Sequence, residues 1–173
     1  MATTLITIAV ALSLLLTLNA VLNHFALIRP KPSAIAAKVA ILIPARDEEN
    51  SITSAVQSAL NQELLADFEV VVLDDASTDS TGEKLLAFND ERLKVITGEV
   101  ELPQGWLGKT WACHRLSESV DADFLVFIDS DVTLKPNAVA SAIGSLTKHQ
   151  LHLVSPYPKQ IAPNLFARIV QPL

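Results

Sequence analysis

The sequence predicts an α/β fold: a mostly parallel sheet with helices on both faces, preceded by one N-terminal transmembrane helix. Three observations carry this expectation. Residues 5–22 are apolar almost without interruption, short all-apolar runs alternate with stretches of helical periodicity from Lys38 onward, and polar, acidic segments follow those runs at regular places. Strands that are apolar throughout need cover on both faces, which a parallel sheet crossed by helices supplies.

The first element is the run LITIAVALSLLLTLNAVL, and no charged side chain precedes Arg29. At a rise of 1.5 Å per residue, roughly 18 residues give about 27 Å, near the hydrocarbon thickness of a bilayer. A cleaved signal peptide would want a cationic segment ahead of a shorter apolar core, and no Lys or Arg lies there. A buried soluble helix would show a polar face. Arg29, Lys31 and Lys38 all follow the run, so the positive-inside bias expects a single-pass anchor in the cell membrane over residues 1–28, with the rest of the chain in the cytoplasm. Pro30 and Pro32 break any helix and make 29–37 a stalk, leaving 38–173 as the folded domain.

Within that domain, VAILI at 39–43 reads as a buried strand closed by Pro44. Residues 51–60 place Ile52, Ala55, Val56, Ala59 and Leu60 on one helical face, with Asn50 as the cap. FEVVVL at 68–73 is the second strand, 80–88 a helix, 93–96 a third strand and 110–120 a helix. FLVFI at 124–128 is the fourth strand, 137–146 a helix, and 151–154 an edge strand. In such sheets ligands lie beyond the carboxyl ends of the strands, so the residues after each strand are the ones to read for chemistry.

Composition narrows the classes. The 173 residues are 50% apolar and 18% charged, enough for one domain with a core and unlike a disordered or collagenous chain. Acidic residues outnumber basic ones 19 to 13, for a net charge of -6, which argues against a nucleic-acid partner. The single cysteine, Cys113, excludes a disulfide within the chain and a thiolate zinc site.

The strand ends carry PARDEE, DDASTD and DSD. Like-charged carboxylates at one rim repel unless a cation or hydrogen-bond donors offset them. Acidic residues also cap helices and solvate turns, which suffices for one such loop but poorly for three at one rim. Asp129 and Asp131, two residues apart after a buried strand, form a DXD motif of hard oxygen ligands that suits Mg²⁺ or Mn²⁺. Such a cation binds through one or two carboxylates plus substrate phosphates, so a nucleotide diphosphate is the expected ligand. Gly105 and Gly108 flank Trp106 and precede Lys109, a loop that ends in a cation at a helix start and fits a phosphate contact. Trp106, Trp111, Cys113 and His114 read as packing residues.

Taken together, PARDEE, LDDASTDST, LPQGWLGKTWA and FIDSD, in that order over 39–146, resemble the family 2 glycosyltransferases of the nucleotide-diphospho-sugar transferase type A fold. The stretch around Trp106 is similar to their membrane-associated branch, which includes hopanoid-associated and carotenoid-type enzymes. The resemblance implies metal-dependent, inverting transfer from a nucleotide-sugar donor, a UDP-sugar, to a lipidic or membrane-associated acceptor. It places Pro44, Ala45, Arg46 and Glu48 along the nucleoside. Asp75 would hydrogen-bond the nucleobase, with Asp74 as the other candidate of the doublet. Lys109 would approach the diphosphate, Asp129 the ribose or the metal, and Asp131 the metal.

Two features stand outside that pattern. FIDSDVTL also fits the hhhhDxDx[TV] signature of haloacid dehalogenase-like phosphatases, but that fold needs a further acidic pair, and no acidic residue follows Asp131. The family's general base comes from a later part of the chain, and His149 and His152 show no orienting partner in the sequence. The expectation is therefore an N-terminal piece that binds donor and transfers poorly, with a membrane-tethered binding module as the alternative.

Overall fold

The computed structural model describes residues 2–26, 30–98, 102–156, 159 and 164. It divides into two compact units, Met1–Pro30 and Lys31–Leu173. The first is one helix, α1 (Ala2–Ala26), which contains the whole expected span and has no buried residue. Twenty-five residues give about 37 Å, and the helix is long and apolar enough to cross a membrane. Several of its polar side chains bond within the helix: the Thr7 and Thr17 hydroxyls donate to the carbonyls of Thr3 and Ser13, and the Asn23 amide donates to Asn19. Apolar surroundings demand this of any polar group they enclose.

The second unit runs β1 (Ile35–Ala45), α2 (Ile52–Leu60), β2 (Leu65–Asp74), α3 (Thr81–Leu86), β3 (Leu93–Thr97), α4 (Gly108–Glu118), β4 (Phe124–Phe127) and α5 (Ala138–Lys148). The four strands form one sheet in the order β3-β2-β1-β4, and every pairing is parallel. Ile41 pairs with Val70 on one side and Val126 on the other, so β1 and β2 are the interior strands.

Alternation along those strands decides which helix covers which face. Ile41, Ile43, Val70 and Val72 meet Ile52 and Val56 of α2, Leu85 of α3, and Val139 and Ile143 of α5. Ala40, Leu42, Val71 and Leu73 meet Ala112 and Leu116 of α4. Gln62, buried after α2, donates to the Lys135 carbonyl and accepts from the Val139 N–H, which fixes the entry to α5. Helices therefore lie on both faces, as the all-apolar strands require.

Several boundaries differ from the sequence reading. β1 starts at Ile35, four residues early, so the stalk is shorter than 29–37, and Pro44 lies inside the strand opposite Leu73 instead of closing it. Arg29 lies outside the described residues. The residue before α2 is Ser51, not Asn50, and its hydroxyl donates to the Glu48 carboxylate. Residues 151–154 form no strand. Gln150 adopts a left-handed φ of 52° and the Leu151 N–H turns back to the Leu146 carbonyl, a helix-end arrangement that leaves Leu151 and Leu153 exposed.

Two packing features yield measurements. Leu116 is fully buried in the cluster under the one helix described on its face, so Leu116→Ala leaves a cavity and should cost about 2 to 5 kcal/mol in urea unfolding of the second unit. Gly98 follows β3, and a Cβ there would lie 2.5 Å from the Asp75 Cα and 2.6 Å from its Oδ1. Backbone contact of that kind cannot relax as a flexible side chain can, so Gly98→Ala should lower the unfolding free energy by about 1 to 3 kcal/mol, with a lower unfolding midpoint, and displace the end of β2. An unchanged midpoint, with unchanged chemical shifts for residues 74–76, would show that the approach is looser than described.

Candidate functional site

The loops after β1 and β2 are held together by their own acidic side chains. The Thr78 N–H donates to Asp47 Oδ1 at 2.7 Å, while the Asp47 N–H donates to the Ser77 hydroxyl at 3.0 Å. The Glu49 N–H donates to Asp79 at 3.0 Å, and the Ser80 N–H donates to the Glu49 carboxylate at 3.2 Å. Thr81 accepts from the Glu48 N–H at 2.8 Å and donates through its hydroxyl to Asp79. That hydroxyl bond is the main cause that holds the Asp79 carboxyl below its ordinary value. Asp74 turns into its own loop, where Oδ1 accepts from the Ser77 N–H at 3.1 Å. Asp47, Asp74 and Asp79, with the carboxylate of Glu49, thus serve to shape the rim.

The remaining acidic residues open onto a cavity of about 320 Å³ at the carboxyl ends of the strands. Pro44, Ala45, Arg46 and Glu48 line it from the end of β1 and its loop. Asp75 lines it from the end of β2, with its N–H donating to the Ala45 carbonyl at 2.8 Å. Lys109 enters from the first turn of α4, and Asp129 and Asp131 from the segment after β4. Every site residue expected from the sequence lies here except Asp74, whose carboxylate is occupied in the loop. Adjacent residues in extended backbone point to opposite sides, which is why the doublet separates into one structural and one cavity-lining carboxylate.

Lys109 and Asp129 form an ion pair, with Nζ 2.7 Å from Oδ1. This bond is the first cause that holds the Lys109 ammonium above its ordinary value, and the charge of Asp131 adds to it. The two side chains are 66% and 58% exposed, so water screens the pair and either partner can be exchanged at little cost. Among the described residues no three His, Cys, Asp or Glu side chains converge as a ready-made metal cage.

Gly108, read from the sequence as part of the loop before Lys109, also lines the cavity, as do Ala112 and Ser130, which were not singled out from the sequence. Ser130 carried a signal, since it sits inside the DXD motif. Ala112 did not, because only the placement of α4 brings its small side chain to the wall. Gly105 has a φ of +89°, the conformation that requires glycine in the loop before α4. Trp106 packs on Trp111 with ring centroids 5.1 Å apart and stacks on His114 at 5.0 Å, a cluster outside the cavity. Burial raises the Cys113 thiol above its ordinary value, as befits a packing residue.

Comparison with known proteins agrees with this arrangement. The family model described as Glycosyl transferase family 2 matches residues 40–168. The chain is 30% identical over 113 residues to UDP-Glc:alpha-D-GlcNAc-diphosphoundecaprenol beta-1,3-glucosyltransferase WfgD of Escherichia coli, a stretch that is 65% of this chain and 42% of that protein. It is 29% identical over 123 residues to the 4,4'-diaponeurosporenoate glycosyltransferase of Staphylococcus haemolyticus, covering 69% of this chain and 32% of that one. The chain spans less than half the length of the curated relatives it matches. Among solved structures, the mannosyltransferase PcManGT from Pyrobaculum calidifontis in complex with GDP-Man and Mn²⁺ shares the fold with a TM-score of 0.57 at 22% identity, over 69% of this chain and 34% of that one. Staphylococcus aureus TarS 1-349 in complex with UDP-GlcNAc does so with a TM-score of 0.54 at 23% identity, over 73% and 38%. With its sheet, its rim and three quarters of its length matched, the chain belongs to glycosyl transferase family 2.

Proposed function

We propose that this chain carries the donor site of a membrane-anchored glycosyltransferase that moves a sugar from a UDP-sugar to a lipidic acceptor with inversion. The observation that carries the reading is the meeting of Asp75, Lys109, Asp129 and Asp131 in one cavity from three separate segments. A nucleotide diphosphate presents a base with an N–H, a ribose and two charged phosphates, and the cavity offers a counterpart to each. The Asp75 carboxylate accepts the N–H of a uracil ring, which is sound because an ionised carboxylate is acceptor-only. Lys109 exchanges its exposed partner Asp129 for a phosphate oxygen. Pro44, Ala45, Arg46 and Glu48 lie along the nucleoside.

Mg²⁺ or Mn²⁺ fits the donor set, since Asp131 and Asp129 supply hard oxygen ligands and substrate phosphates supply others. The cation's contribution is Lewis-acid stabilisation of charge on the departing diphosphate. The relatives support the donor and acceptor classes: the name of WfgD states UDP-Glc and a diphosphoundecaprenol, that of the staphylococcal relative a diaponeurosporenoate, and the PcManGT structure holds GDP-Man and Mn²⁺. α1 supplies the anchor, and Lys31 and Lys38, with Arg29, set the folded unit on the cytoplasmic side.

Two measurements test this. Calorimetric titration of UDP with Mn²⁺ should show Asp131→Asn binding on the order of 10 to 100 fold more weakly than the unsubstituted chain. Equal affinities, or binding indifferent to chelator, would refute the metal assignment. In sealed, cytoplasmic-side-out vesicles, added protease should digest the unit from Lys38 onward, and full protection would reverse the orientation.

A further inference from the structure

Behind the nucleobase end of the cavity two half-buried charged side chains face each other without being joined. The Asp75 side chain is 16% exposed, and no described residue donates a hydrogen bond to its carboxylate. The Arg115 side chain, one turn along α4 from Ala112, is 18% exposed; its Nη2 donates to the Thr97 carbonyl at 3.3 Å, and its buried Nη1 has no acceptor. Nη1 lies 4.0 Å from Asp75 Oδ1, about 1 Å beyond hydrogen-bond length. A buried donor left without an acceptor is costly, and the Asp75 carboxylate is the charged acceptor beside it, so a small movement that joins them is favoured.

The surroundings direct that movement. Leu116 locks α4 against the sheet, and Nη2 is tied to the end of β3, so Nη1 has only a short path toward the carboxylate. Gly98 leaves the space beside Asp75 Oδ1 clear, since a Cβ there would stand 2.6 Å from that oxygen. Arg115 itself lines a separate hollow with Trp111, His114 and Glu118, so it approaches Asp75 from the side away from the donor cavity.

We propose that Arg115 is the positioning residue for Asp75: it holds one carboxylate oxygen from behind and so aims the other at the nucleobase. The assignment rests on the reading that Asp75 receives a nucleobase N–H. A guanidinium suits the task because its planar fork can hold the Thr97 carbonyl and the carboxylate together, which a lysine ammonium at the end of a flexible stem does less well.

The test is calorimetry on the full chain in detergent, with UDP and with inorganic pyrophosphate as the nucleobase-free probe, both with Mn²⁺. Arg115→Gln should weaken UDP binding about tenfold, as loss of a charge-assisted hydrogen bond predicts, and leave pyrophosphate affinity within about twofold. Arg115→Lys keeps the charge and the stem, guards against a folding defect, and should lose UDP affinity in the same direction. Added to Asp75→Asn, Arg115→Gln should cost little more, because the two residues act as one unit. Unchanged UDP affinity in both Arg115 variants, equal losses for UDP and pyrophosphate, or losses that add in the double variant would overturn the assignment. If Asp75→Asn binds UDP as tightly as the unsubstituted chain does, the nucleobase reading itself fails, and the role of Arg115 with it.

Discussion

The in-register parallel pairing of β1 with β2 is the constraint on which the rest of the structure depends. Residues 39–43 and 70–73 are buried on both faces, so helices must cover both sides of the sheet, and the chain must cross over between consecutive strands. Both strands then run in one direction and end together, at Ala45 and Asp74. The two loops that follow are brought side by side at one rim, and β4, paired on the other side of β1, delivers a third. Nothing else in the fold would bring residues 45–48, 75 and 129–131 around one cavity.

At that rim the acidic residues divide into two groups. Asp47, Asp79 and Glu49 accept backbone N–H bonds that tie the first two loops to each other, and Asp74 accepts one within its own loop. Their charge is offset by those donors, so they need no cation. Glu48, Asp75, Asp129 and Asp131 face the cavity instead. Reading acidic loops as solvated turns and reading them as a ligand site are both right, each for its own residues, and the first group gives the second its rigidity.

The cavity carries opposing charge with little internal commitment. The ion pair of Lys109 with Asp129 that lines it is exposed and exchangeable. By contrast, Asp75 at the end of β2 has Arg115 and Gly98 close behind it, and the low exposure of the two charged groups makes their mutual geometry matter more.

Read alone, the chain's sequence foretold the α/β class, the four strands and five helices found among the described residues, the apolar helix near the N-terminus among them, and all but one of the cavity residues expected from it. These were legible because each rests on local information: an apolar run too uniform for one-sided burial, a helical period, or a polar segment placed where a parallel strand must end. The tertiary structure decided what depends on neighbours. It extended β1 back to Ile35 because β2 offered a pairing partner, and it denied 151–154 a strand because the helix end turned that backbone away. It resolved the Asp74–Asp75 doublet through a hydrogen bond from Ser77. It also brought Ala112 to the cavity wall and Gly98 and Arg115 beside Asp75, because van der Waals contact and hydrogen bonding act across space between residues that no spacing in the chain relates.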